Sequence, residues 1–204
     1  MADEKTVRDD APKTEPHPAD QVAAVCVDVI DLGMTVEQFQ NNQPEIKEKV
    51  VLVFRTEAKR DGKHLHIAQE FTASMGKKAN LRKFLEAWRG TPYTEDEAKK
   101  QGIPLHKLVG IAALLTVAHR VSGAGNTYAF IQTITKLPRA MKDSAPPTDA
   151  YERAGFWSDR KAEYQAKAEK FLAAHPMPGS TAAPARDDFS DQSEEDSEGD
   201  ALPF

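Results

Sequence analysis

The chain has a single cysteine, Cys26, in 204 residues. That excludes an intrachain disulfide and any zinc site built on paired thiolates. Cys26 lies inside the apolar run 22–29 with no flanking base, so it reads as a small buried hydrophobe and not as a nucleophile. No apolar run approaches the roughly 20 residues needed to cross a bilayer, and the opening MADEKTVRDD has no apolar stretch of the kind a secretory signal needs. A protein of the reducing cytoplasm is expected, without membrane attachment. A P-loop is also missing: Gly123-Ala124-Gly125 is followed by Asn126 instead of Lys-Ser/Thr and reads as a turn. Finally, the last eighteen residues contain no Lys or Arg.

Those eighteen residues, DDFSDQSEEDSEGDALPF, carry eight acids: Asp187, Asp188, Asp191, Glu194, Glu195, Asp196, Glu198 and Asp200. So many like charges with so few apolar groups cannot offset the entropy of ordering, so residues 176–204 are expected to form a disordered acidic tail. The tail ends in Ala201-Leu202-Pro203-Phe204. An aromatic ring, a proline that limits chain freedom and a terminal carboxylate make a peptide ligand for a pocket lined by Arg or Lys. The formal net charge is −5, from 32 acids and 27 bases. Without the eight tail acids the balance is about +3, so the acidic average does not exclude nucleic-acid binding by the rest of the chain. The tail could instead compete with a nucleic acid for the basic body.

The folded part is expected to run from about 21 to 140, after a polar arm over 1–20 that carries Pro12, Pro16 and Pro18. Residues 21–32 (QVAAVCVDVIDL) alternate as a strand, with Val25, Val27 and Val29 on one face and Cys26, Asp28 and Ile30 on the other. Residues 33–48 are polar and read as a long loop. Residues 49–56 (KVVLVFRT) and 64–74 (HLHIAQEFTAS) read as strands joined at Asp61-Gly62, a hairpin signal. The period then changes. Leu81, Phe84, Leu85 and Trp88 fall at i, i+3, i+4 and i+7, and Gly90 stops the helix. Thr94 and Glu97 have capping-box spacing for a short helix over 94–100. Strands return at 108–120 and 127–137, separated by a Gly-rich turn. Three strands, a helix and two strands is the order of an OB-fold, a five-stranded barrel with a helix between its third and fourth strands. The expected fold class is therefore α+β, mainly β, with an OB barrel. Beyond it come a linker with Pro146-Pro147 and a helix over 158–174, so that 141–175 forms a connecting segment.

Two resemblances attach to these residues. The acidic tail ending in Pro203-Phe204 is similar to the C-terminal tip of bacterial and phage single-stranded DNA-binding proteins, with Leu202 where the bacterial tip carries Ile. Residues 77–97 (KKANLRKFLEAWRGTPYTEDE), with the later YAFIQTITKLP, resemble phage-encoded OB-fold single-stranded DNA-binding proteins. The resemblance implies a phage or prophage protein that coats single-stranded DNA during replication or recombination, with little sequence preference. It also implies that the tip, Asp200, Ala201, Leu202, Pro203 and Phe204, recruits replication and recombination proteins. No enzymatic activity is implied.

Single-strand binding needs cations along a groove and exposed rings on which bases stack. The cationic candidates are Arg55, Lys59, Arg60 and Lys63 near the hairpin, and Lys77, Lys78, Arg82, Lys107 and Arg120 elsewhere. The stacking candidates are Phe54, Phe71, Tyr128 and Phe130. Tyr128 and Phe130 share a strand face, whereas Phe54 and Arg55 point to opposite faces. Phe71 and Trp88 read better as core. His64 and His66 share a strand face and His106 and His119 follow, but no four-ligand set accompanies them, so neither a metal nor a cofactor is expected. Three rival readings use the same residues: a recombination mediator or annealing accessory, a small nuclease using Asp28, Asp31, Glu57, Asp61 and Glu70, and a protein-binding module without a DNA role. A homo-oligomer is compatible with all of them.

Overall fold

The computed structural model describes residues 15–38, 43–98, 102–148 and 151–175. The expectations for 1–14 and for the acidic tail with its tip lie outside the described residues. The sheet has five strands in the spatial order β3-β2-β1-β4-β5: β1 (Gln21–Glu37), β2 (Glu45–Arg60), β3 (Lys63–Thr72), β4 (Ala112–Val121) and β5 (Thr127–Lys136). It is antiparallel and open, not closed into a barrel. Helix α1 (Asn80–Arg89) lies between β3 and β4 in sequence, and α2 (Phe156–Ala174) follows the sheet. No helix among the described residues is long and apolar enough to cross a membrane.

The chain divides into two compact units. One draws on Met1–Ile30 and Val50–Arg153, the other on Asp31–Lys49 and Ala154–Phe204, in each case for the described residues. In the first unit, one side of the sheet and α1 enclose the core. Val22, Ala24 and Cys26 from β1 meet Val50, Leu52 and Phe54 from β2, with Ile67 and Phe71 from β3. Leu115 and Val117 from β4 and Ile131 and Ile134 from β5 complete the sheet side, and α1 supplies Leu81, Leu85 and Trp88. The helical spacing read from the sequence is therefore the buried face of α1. Gly90 ends it at φ 78°, where its N–H bonds the carbonyl of Glu86, a conformation that costs glycine least. The Trp88 indole N–H donates to the Ala112 carbonyl at 3.0 Å, which satisfies its one polar atom inside the core. The edge strands β3 and β5 approach each other, and α1 packs against both.

Three local expectations change. The loop over 33–48 is largely strand, since β1 continues to Glu37 and β2 begins at Glu45. These ends form part of the second unit, where Leu32, Thr35 and Lys49 are buried and Ala168 of α2 is buried too. Gly33 sits at φ 74°, and a Cβ there would stand 3.9 Å from the Gln165 side chain of α2. Lys49 is held by Glu37 at 2.6 Å, and Lys161 pairs with Asp31 at 3.7 Å. The expected face assignment in β1 also fails beyond Cys26. Cys26 and Val29 both pack with the core although they are three residues apart. A regular two-residue period cannot do that, so the strand changes facing between them. Finally, the segment read as a linker from 141 begins with a 3-10 turn, Arg139–Ser144.

Candidate nucleic-acid interface

β4 and β5 pair antiparallel from Ala113 opposite Lys136 to Val121 opposite Thr127. Arg120 pairs with Tyr128 and Ala118 with Phe130, while a register shift at Thr116/Val117 absorbs one extra residue of β5. Directly opposed residues share a face. Arg120, Ala118, Tyr128 and Phe130 therefore point one way, and Val117 and Ile131, which pair next, point into the core. The outward group is a ready platform. Tyr128 is 43% exposed. The Arg120 guanidinium carbon lies 4.4 Å from the centre of the Phe130 ring, within the range of a cation–π contact. Next along the same face, the Thr133 hydroxyl donates to Thr116 Oγ1 at 2.8 Å.

The other proposed cations divide. Lys59 and Lys63 are exposed on the β2–β3 hairpin, where Asp61 and Gly62 both take positive φ (50° and 75°), as a tight turn requires. Arg60 is half-buried, with Nη1 donating to the Glu15 carbonyl at 2.8 Å and Nη2 to the Pro16 carbonyl at 3.0 Å. That segment is further tied in by His17, whose Nε2 lies 2.7 Å from Thr56 Oγ1, and by His119, whose Nε2 lies 2.7 Å from the His17 carbonyl. The part of the expected flexible arm from 15 to 20 is thus pinned to the sheet. Lys78 and Lys107 are exposed, and Lys77 is exposed beside Glu95 at 3.4 Å.

Four candidate residues, Phe54, Arg55, Arg82 and Phe71, are buried and not available to a ligand. Phe54 is 0% exposed, with its ring 5.2 Å from Trp88 in an edge-to-face arrangement and 6.2 Å from Phe84. It belongs to the core because every residue of β2 from Val50 to Thr56 is buried, so neither strand face reaches solvent there. For the same reason Arg55, on the opposite face, is only 6% exposed, and its Nη1 donates to the Pro147 carbonyl at 2.7 Å. Arg82 is 7% exposed and organises the turn after α1. It bonds Glu86 at 2.9 Å and the carbonyls of Tyr93 at 2.7 Å and Met75 at 3.3 Å. The Arg82 bond and the Tyr93 N–H hold the Glu86 carboxyl below its ordinary pKa. Phe71 is core, packed on Phe84 with ring centres 4.8 Å apart. The Thr94 capping box forms in both directions, with the Thr94 N–H on Glu97 at 2.7 Å and the Glu97 N–H on Thr94 Oγ1 at 3.2 Å.

One cluster has no counterpart in the sequence reading. Arg153 forks onto Asp28, with Nε and Nη2 at 2.7 and 2.8 Å from the two carboxylate oxygens. Tyr151 bonds the same carboxylate, and burial together with Asp28 pushes its pKa up to about 12. The Tyr151 ring stands 5.4 Å from that of His66. Partial burial, then Arg55 and His64, lower the His66 pKa, and Arg55 Nε reaches His66 Nε2 at 3.3 Å. A signal that could have pointed here is Tyr151 and Arg153 lying two residues apart in an otherwise polar segment.

Cys26 is buried and its thiol is pushed up to about 12 by desolvation, so it holds no thiolate at neutral pH. Among the described residues, no group of three or more His, Cys, Asp or Glu is arranged to hold a metal ion. Of the nuclease candidates, Asp28 is taken by Arg153 and Asp31 pairs with Lys161, while Glu57 accepts the Ala23 N–H at 3.3 Å. No protein-family model and no curated protein matches the chain.

Proposed function

We propose that the protein binds single-stranded DNA without marked sequence preference, through the outward face of β4 and β5, and does no catalysis. The observation that carries this reading is the Tyr128–Phe130–Arg120 group: two rings and a guanidinium on one solvent-facing ladder. Base–aromatic stacking tolerates any sequence because every base has a π-face, and the guanidinium can serve a phosphate or a base. Lys59 and Lys63 would add charge along the strand's path. The fold reading that goes with it is an OB-fold. Support for it comes from five strands with α1 between the third and fourth, and from β3 approaching β5 across the open side of the sheet.

In this reading the protein coats phage DNA in the host cytoplasm during replication or recombination. Residues Asp200 to Phe204 recruit partner proteins, and the acidic tail competes with DNA for the basic body. The test is a fluorescence titration of the whole chain and its Tyr128→Ala variant with labelled single-stranded and duplex oligonucleotides at two salt concentrations. Salt-sensitive binding to the single strand, weakened about 5- to 100-fold by Tyr128→Ala, supports it, in line with about 1–3 kcal/mol per stacked base. Equal affinity of the two proteins for the single strand would remove β4–β5 as the site. A chain ending at Arg186 that bound single strands more weakly than the whole protein would contradict competition by the tail.

A further inference from the structure

We propose that Arg139 and Lys142, in the 3-10 turn after β5, hold phosphates of the DNA strand beyond the bases stacked on Tyr128 and Phe130. The inference rests on the single-strand reading above and gives that site a second, ionic end. The path to it starts at the bulge in β5. Ile131 and Ile134 both pack in the core although they are three residues apart. Gln132 and Thr133 between them both turn away from the core, and both are exposed. Thr133 lies opposite Thr116, and Gln132 is the extra residue. Past Phe130 the outward side of β5 therefore continues as an amide and a hydroxyl, uncharged groups along which a sugar–phosphate backbone can run. Nothing on this path repels a phosphate: residues 98–142 contain no Asp or Glu and seven Lys or Arg.

The chain then crosses the outward side of the sheet. Lys136 pairs with Ala113 at the end of the β4–β5 ladder, and the Pro147 carbonyl accepts from Arg55 of β2. Strands β4 and β1 lie between β5 and β2, so the crossing covers three strand spacings, about 14 Å. The turn Arg139–Ser144 opens that crossing and borders the uncovered part of the face. Arg139 and Lys142 are exposed, and among the described residues neither side chain has a hydrogen-bond or ion-pair partner. Residues three apart in a 3-10 turn eclipse, at a rise of about 6 Å, so the two cations project together and can take neighbouring phosphates. Asp143 is the one acid of the turn. From Tyr128 to Lys136 the strand runs about 26 Å, a length that holds several nucleotides, within the range of about 4–16 for one OB-type site.

The test titrates the whole chain and its Arg139→Ser/Lys142→Ser double variant with a labelled single strand of about 16 nucleotides, long enough to fill the site. Two lost phosphate contacts lower the slope of log K against log salt by about 1.4, so between about 50 and 200 mM salt the wild type should lose about sevenfold more affinity than the variant. The exchange Arg139→Lys/Lys142→Arg, which keeps both charges, should keep the wild-type slope. So should Lys83→Ser/Lys170→Ser, which removes the same charge from exposed positions elsewhere. Both side chains of the turn are exposed and unbonded, so the urea midpoint of the double variant should not move. An unchanged slope in the Arg139→Ser/Lys142→Ser variant overturns the proposal. An equal fall in the Lys83→Ser/Lys170→Ser control does so too, because the effect is then one of net charge. If the wild type binds and depends on Tyr128 while the turn variant keeps its slope, only this contact falls. If the wild type binds no single strand, the DNA reading and this contact fall together.

Discussion

Replacing Phe54 by Leu separates a core ring from a binding ring. The side chain has no exposed surface, and its ring meets the edge of Trp88 at 5.2 Å and lies 6.2 Å from Phe84. Truncating a buried Phe to Ala costs about 3–5 kcal/mol. Leucine refills part of that volume, so the cost should fall to about 1–2 kcal/mol, much of it the lost aromatic contact, which is worth about 0.5–1.5 kcal/mol. With a urea slope of about 1.5 kcal/mol/M, the unfolding midpoint should drop by about 1 M. The assay pairs urea unfolding, followed by tryptophan fluorescence, with a single-strand titration under native conditions. The midpoint should move and the affinity should stay within about twofold of wild type. An unmoved midpoint with a tenfold loss of affinity would refute the placement of Phe54 in the core and return it to the binding surface.

Arg82→Met should lower the melting temperature by roughly 5–10 °C, because Glu86 and the Tyr93 carbonyl lose their shared donor; calorimetry reads this directly, and DNA affinity should not change. His66 has a folded pKa below its ordinary 6.5, so the unfolded chain binds its proton first. Stability from this group is full above about pH 6.5 and is lost as pH falls from there through the lowered value, and His66→Gln should flatten the urea midpoint below about pH 6.5. Glu86 is a depressed carboxyl with an ordinary value of 4.5, so its contribution disappears only at lower pH and is separable in the same series. Lys63→Ala should reduce the slope of log K against log salt by about 0.7, the single-strand value for one phosphate contact. Arg120→Lys keeps the charge and loses the flat guanidinium over Phe130, so it should weaken binding several-fold at unchanged salt slope, a split that titrations at four salt concentrations resolve.

Where the sequence carries a strong local period, it was enough. The stripe Leu81, Leu85 and Trp88 is the buried face of α1, Gly90 ends it, and the Thr94–Glu97 pair caps in both directions. Tyr128 and Phe130 share a face because β5 is regular on that side of the register shift. The misreadings have a common physical origin in β1 and β2. Two-residue alternation assumes one wet face, yet VVLVFRT is buried on both, so Phe54 and Arg55 are hidden together. The continuous apolar run was itself the sign of a doubly covered strand. The polar ends of β1 and β2 read as loop because Gly33, Asn41, Asn42 and Pro44 suggest turns, whereas Leu32, Thr35 and Lys49 are buried. The Asp28–Arg153 pair joins residues 125 apart in sequence, a separation that no local pattern encodes.

Burial on both sides of β1 and β2 decides where a ligand can act. From Val22 to Val27 and from Val50 to Thr56 every residue is buried, and uncovering such a surface would expose apolar groups to water. The solvent-facing β surface of the first unit is therefore left mainly to β3 and to the outward side of β4 and β5. On β4–β5, Arg120 already lies over Phe130, so a base cannot take that ring without moving the guanidinium or stacking upon it, whereas Tyr128 has a large exposed surface. The guanidinium is planar and weakly hydrated, and it can stack on a base as it now stacks on Phe130 while its edge bonds a phosphate. In the proposed single-strand reading, Tyr128 would take the first base and Arg120 would extend the stack to the next one. On that reading the tyrosine ring would be the principal source of affinity and the arginine the link between base and backbone.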